Sequence, residues 1–297
     1  MGKRHRQSIG AVRIEEGKAV VSRLTSALMR AFLVMVLVAT PSVILSGQGA
    51  DGREVVALMA LFAGVLTFVE YNATYPGLVE FRDAPPFNRI RFLMLFATVF
   101  ALTVIEQSRF APSTLSTLMG ALGVVIGAAL DFPYSPVRLA TLMLADGASE
   151  AQVHAVRSAA GVAYLTSALG LAFFVSVLRL QRWPARESAF NVWVNLPTFD
   201  PTAGGDVVQR LERDARLNIA LGLLLPFVIP AVVKIGAQGF EPLTMTTPQT
   251  LIWTMTAWAF LPASLFMRGI AMGKIAEMIR EKRRISSLAE TTGFYPA

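Results

Sequence analysis

Seven runs of apolar residues punctuate the chain, at about 27–46, 54–73, 90–106, 112–131, 157–178, 217–236 and 249–269. Each approaches the length that carries a helix across a hydrocarbon core of about 30 Å at about 1.5 Å per residue, and 90–106 is short for it. Polar stretches between the runs carry helix-start signals. Ser149 with Gln152 and Asp206 with Gln209 have capping-box spacing. Thr247–Pro248 and Ser135–Pro136 pair a capping hydroxyl with proline in the first turn. The pattern predicts an all-α, polytopic helical membrane protein with six net transmembrane crossings, one of the seven segments being re-entrant or broken. Residues 8–22 alone read as a small β-hairpin around Glu15–Lys18.

The organisation that follows is a basic segment 1–26, a transmembrane bundle 27–178, a loop 179–216 with an amphipathic helix, a transmembrane pair 217–269 and a basic helical tail 270–297. Arginine and lysine placement sets the parity. If all seven segments cross from a cytoplasmic N-terminus, 11 basic residues lie inside and 14 outside, against the positive-inside rule. If 90–131 makes one net crossing, the division becomes 21 inside and 3 outside, with Arg109 set aside. Both termini are then cytoplasmic. Either a re-entrant segment or a half-helix over Pro136–Ala145 restores the parity. The spacing Gly123-x-x-x-Gly127 predicts close helix packing in this region.

Composition agrees with bilayer as the solvent: 16% of residues are charged, 54% are hydrophobic, and mean hydropathy is +0.54. A net charge of +7 points to anionic lipid headgroups at the cytoplasmic face, not to nucleic acid. The bias toward arginine and alanine suits a GC-rich bacterial genome, hence an inner-membrane location. MGKRHR lacks the features of a secretory signal or a myristoylation site.

The chemistry that can be excluded is extensive. With no cysteine, and only His5 and His154, disulfides, thiolate metal sites and histidine relays have no residues to build them. No HExxH, Walker A or GxSxG motif occurs, and no cofactor is expected. Asp146–Gly147 begins like the CDP-alcohol transferase signature, but the alanine–arginine pair and the two further aspartates are missing. The transport reading rests on Pro226, Pro230 and Lys234, since a broken helix frees carbonyls and an intramembrane cation needs a reason. A lipid-headgroup enzyme using Asp146 or Glu70 is a weaker alternative.

The remaining candidates are interaction residues. Residues 74–89 hold interfacial aromatics, Pro85–Pro86, a capping candidate Asn88, and charges of alternating sign at Glu80, Arg82, Asp83, Arg89 and Arg91 that predict a local ion-pair network. Glu70 lies about 7 Å inside a helix that runs to Tyr75. In 179–216, Trp183, Phe190, Trp193 and Phe199 predict a loop seated in the interface or on a partner. Lys282, Arg283 and Arg284 make the tail a lipid- or protein-binding helix. The leading expectation is therefore a non-enzymatic membrane subunit, scaffold or assembly factor with a possible protein partner at its cytoplasmic face.

Overall fold

A computed structural model describes residues 2–46, 49–181, 183, 191–200, 202, 204–236 and 245–292. Every regular element among them is helical: α1 (Gly2–Ile44), α2 (Ala50–Asn72), α3 (Phe87–Gln107), α4 (Thr114–Leu130), α5 (Pro136–Thr141), α6 (Glu150–Leu180), α7 (Val192–Asn195), α8 (Val207–Gly236) and α9 (Pro248–Thr292). Six of these, α1, α2, α3, α6, α8 and α9, are long and apolar enough to cross a membrane. The protein is a multi-pass helical membrane protein. Its exposed surface fits that solvent: Phe62, Leu58, Val125, Leu169 and Val232 all point outward from the bundle. Within such a core each backbone amide needs an internal partner, which long helices supply by themselves.

Contacts fix how the helices run. The Ser46 amide donates to Gln107 Oε1 (3.0 Å), and Gln107 Nε2 donates to Ser46 Oγ (2.9 Å), so α1 and α3 end at one face. Helix α6 is antiparallel to α3, because Gly170 packs on Met94 while Ser158 and Ile105 both meet Gly123. The start of α6 thus lies at the Ser46 face and its end at the opposite one. What connects α3 to α6 leaves and returns to the same face. The connection consists of α4, which at 17 residues is the short apolar helix, and the six-residue α5.

Sequence boundaries shift accordingly. The short element is α4 and not the 90–106 run, because α3 already begins at Phe87, directly after the Pro85–Pro86 break, and reaches 21 residues. Pro136–Ala145 is no half-helix of crossing length, since α5 closes at Thr141. The β-hairpin over 8–22 is also overturned, as those residues continue α1 without interruption. The physical reason is cooperative: adding a turn to an existing helix avoids the nucleation cost, and Arg, Gln, Glu, Lys and Ala there are good helix formers. Helix starts at Ser149, Ser135 and Thr247–Pro248 form as read, and Ser113 with Ser116 adds a capping box.

Two cores stack along the bundle. The one nearer the Ser46 face gathers Val99, Leu102, Ala160, Met255 and Trp258. The other, at the far face, gathers Phe81, Phe87, Phe174, Leu211, Met267 and Ile275. Small residues bring backbones together where helices cross. A Cβ on Gly161 would lie 2.7 Å from Gly127 Cα, and one on Gly222 would lie 2.7 Å from the Pro262 carbonyl oxygen. The glycine spacing noted in 112–131 therefore marks the α4–α6 contact.

Gly161→Val should lower the thermal midpoint of the detergent-solubilised protein by the equivalent of about 1–3 kcal/mol, the usual range for overpacking. Gly52→Ala, where a methyl meets nothing within 4 Å, should leave the midpoint unchanged or raise it. Equal losses in both variants would contradict the close approach of α4 and α6.

Candidate functional site

The face opposite Ser46 carries the most elaborate polar construction in the described chain, and it begins with the end of α2. Glu70 Oε2 accepts from three successive amides, Gly77 (3.0 Å), Leu78 (2.8 Å) and Val79 (3.1 Å). The carboxylate folds the chain back on the helix it has just left. Arg82, nearly buried, donates to the carbonyls of Ala73 and Glu70 at that helix C-terminus, where a cation is favoured by the dipole. Asp83 sits beside it at 3.2 Å.

From there the loop reaches distant parts of the chain. Phe81 has a φ of 53°, an uncommon conformation for a bulky residue. It is held there because its ring is buried against Phe87 (4.3 Å between centroids) and Trp183 (6.2 Å). Its amide donates to the Asn195 carbonyl (2.7 Å), and Asn195 Oδ1 accepts from the Asp83 amide (3.0 Å). Glu80 closes the construction. Its carboxylate binds Arg268 of α9 in bidentate fashion, at 2.5 and 2.8 Å, and accepts from the Thr198 hydroxyl at 2.7 Å. Glu80 is only 11% exposed at the side chain, so this pair is largely removed from solvent.

Of the expected local network of alternating charges, the Arg82–Asp83 pair forms, while Glu80 takes a long-range partner instead. Glu80 pairs across the bundle, Arg82 keeps Asp83, and Arg91 lies over the rings of Phe87 (5.3 Å) and Phe260 (6.0 Å). Asn88 does not cap α3; its amide donates to the Glu80 carbonyl at 2.7 Å. Trp183 and Phe199 are buried in the same core as Phe81, so they hold the loop to its own protein. Trp193 falls in α7, with its side chain outside the described residues, and Phe190 lies outside them altogether.

The other candidates are dispersed. Lys234 Nζ is 2.6 Å from Asp146 Oδ1 at the Ser46 face, and that aspartate is almost fully exposed. The Pro226 carbonyl, freed by the missing amide of Pro230, accepts from Trp258 Nε1 at 3.1 Å. Glu70 and Asp146 stand at opposite faces, so no single headgroup site contains both.

At the tail, Arg283 pairs with Asp206 (2.6 Å), Arg280 with Glu212, and Arg284 with Glu281 (2.7 Å). Lys282 is exposed with no ion pair among the described residues. The Arg283 hydrogen bond holds the Asp206 carboxyl below its ordinary range. That contact is complete above the usual aspartate pKa and is lost as pH falls through the depressed value. Among the described residues no three His, Asp or Glu side chains converge to hold a metal ion.

Sequence reasoning named Glu70, Arg82 and Asp83 but missed Arg268, Thr198 and Asn195. Arg268 is a lone cation at the end of an apolar run, and nothing local announces its partner. Removing either Glu80 or Arg268 alone as alanine should destabilise the protein by on the order of 3 kcal/mol, because the other charge is left uncompensated. The double variant should lose much less than the sum of the single losses. Additive losses in thermal melts would refute the coupling. No protein-family model, curated protein or solved structure matches this chain.

Proposed function

We propose that this chain is a non-enzymatic scaffold or subunit of the bacterial inner membrane that docks a protein partner on the Glu80 face, with both termini in the cytoplasm. The observation that carries the reading is the paired extension of α8 and α9. Helix α9 continues from Arg268 to Thr292 and lies along the first turns of α8. Leu211, Met272 and Ile275 are fully buried between the two. The tail is therefore a braced projection, fastened by Arg280–Glu212 and Arg283–Asp206, which a free lipid-binding tail would not require. Beyond the brace, Ile285 and Leu288 are about half exposed beside Lys282. An apolar pair rimmed by a cation suits a partner with an apolar groove and acidic edges. The division of 21 basic residues against 3 supports a cytoplasmic Glu80 face.

Orientation is readable by thiol labelling, since the natural chain has no cysteine. An impermeant maleimide should label Glu150→Cys in intact cells and reach Ser286→Cys only after permeabilisation. The reverse pattern would overturn the orientation. For the partner, particles extracted from native membranes should contain a second protein in fixed stoichiometry. Ile285→Asp combined with Leu288→Asp should abolish it without lowering the thermal midpoint. A complex that survives this change, or a wild-type chain that is always alone, would refute the docking surface.

A further inference from the structure

A cavity of about 180 Å³ opens between α1, α2, α3 and the 73–86 loop, and Arg30, Arg82 and Arg89 line it together with Tyr71 and Asn88. A second cavity of about 160 Å³ shares Arg30, Tyr71 and Arg82, and adds Arg23, Ser26 and Asp83. Four guanidinium groups thus surround two adjoining cavities with Asp83 as the acid on their walls. Arg82 is the one that Asp83 neutralises. Arg30 stacks over the Tyr71 ring at 4.5 Å and donates to the Ser26 carbonyl at 3.1 Å. Arg23, Arg30 and Arg89 form no ion pair among the described residues.

Guanidinium groups that line a cavity at the edge of a membrane, with no ion pair among the described residues, leave donors open to an anion from outside the chain. Arginines converging from α1, α3 and the loop suit a phosphate, whose oxygens accept several charge-assisted bonds at once. The rest of the cavity selects which phosphate. Leu33, Val34 and Phe92 form its wall on the bilayer side, and Leu33 is 38% exposed on the outer surface of α1. A headgroup among the arginines would therefore leave its acyl chains against apolar side chains already facing hydrocarbon. We propose that this cavity is a binding site for an anionic phospholipid, with the phosphate between Arg30 and Arg89 and the chains along Leu33, Val34 and Phe92. The site is independent of the protein-docking surface, which lies on α9.

The test is native mass spectrometry of the full-length protein titrated with dioleoyl phosphatidylglycerol or dioleoyl phosphatidylcholine. Wild type should retain the anionic lipid at least tenfold better than the zwitterionic one. Arg30→Gln with Arg89→Gln should erase that preference, whereas Arg53→Gln on the other face should keep it. Because the double variant changes charge in a packed region, Leu33→Trp provides a second arm that leaves every charge in place. It should also weaken phosphatidylglycerol retention by crowding the apolar wall. Glycerol phosphate in millimolar excess should not displace the lipid. Displacement by glycerol phosphate, or full retention in Leu33→Trp, would make this a site for soluble anions and refute the lipid assignment. Undiminished preference in the arginine variant would refute the site itself.

Discussion

The ion pair between Glu80 and Arg268 ties together, at one face of the bundle, three segments that also share an apolar core. Glu80 belongs to the α2–α3 connection, Arg268 to α9, and the bridging Thr198 to the segment before α8. Charges at a membrane edge are costly when unpaired, so this contact restricts how those segments can sit relative to each other. Beside it, Phe81 holds a strained conformation. Its left-handed backbone costs roughly 1–3 kcal/mol and persists only where the surroundings over-determine it. Burial of the ring and the hydrogen bond from its backbone amide to the Asn195 carbonyl supply that constraint.

The same face separates two kinds of charged residue. Glu70 and Arg82 are spent on backbone groups at the end of α2, so their polarity serves folding. Arg23, Arg30 and Arg89 line cavities and form no ion pair among the described residues, although Arg30 also donates to the Ser26 carbonyl. Sequence alone cannot divide these groups, because all five are single charges near a predicted membrane boundary.

Bulk architecture was legible because the bilayer imposes length and parity. Apolar runs, helix caps and the asymmetry of arginines led to an all-helical bundle in which 90–131 makes one net crossing. Local readings failed where a longer-range effect prevailed. Val and Ile in 8–22 resemble a strand, yet the adjoining helix extends through them. Trp183 and Phe199 resemble interfacial anchors because aromatic side chains suit both an interface and a core, and here the core wins. Alternating charges in 80–91 suggested neighbours, while the partner of Glu80 lies 188 residues away. Nothing in periodicity or spacing carries information over that separation.

Helix α9 has 45 residues, which makes a rod of about 67 Å at the ordinary helical rise. Only part of that length fits inside a bilayer, so one continuous object spans the membrane and stands clear of it. Pro262 removes a single backbone amide within the embedded part, giving the rod one soft joint. Because its emerging half is fastened to α8 through Arg280–Glu212 and Arg283–Asp206, any bend at Pro262 must carry the first turns of α8 with it.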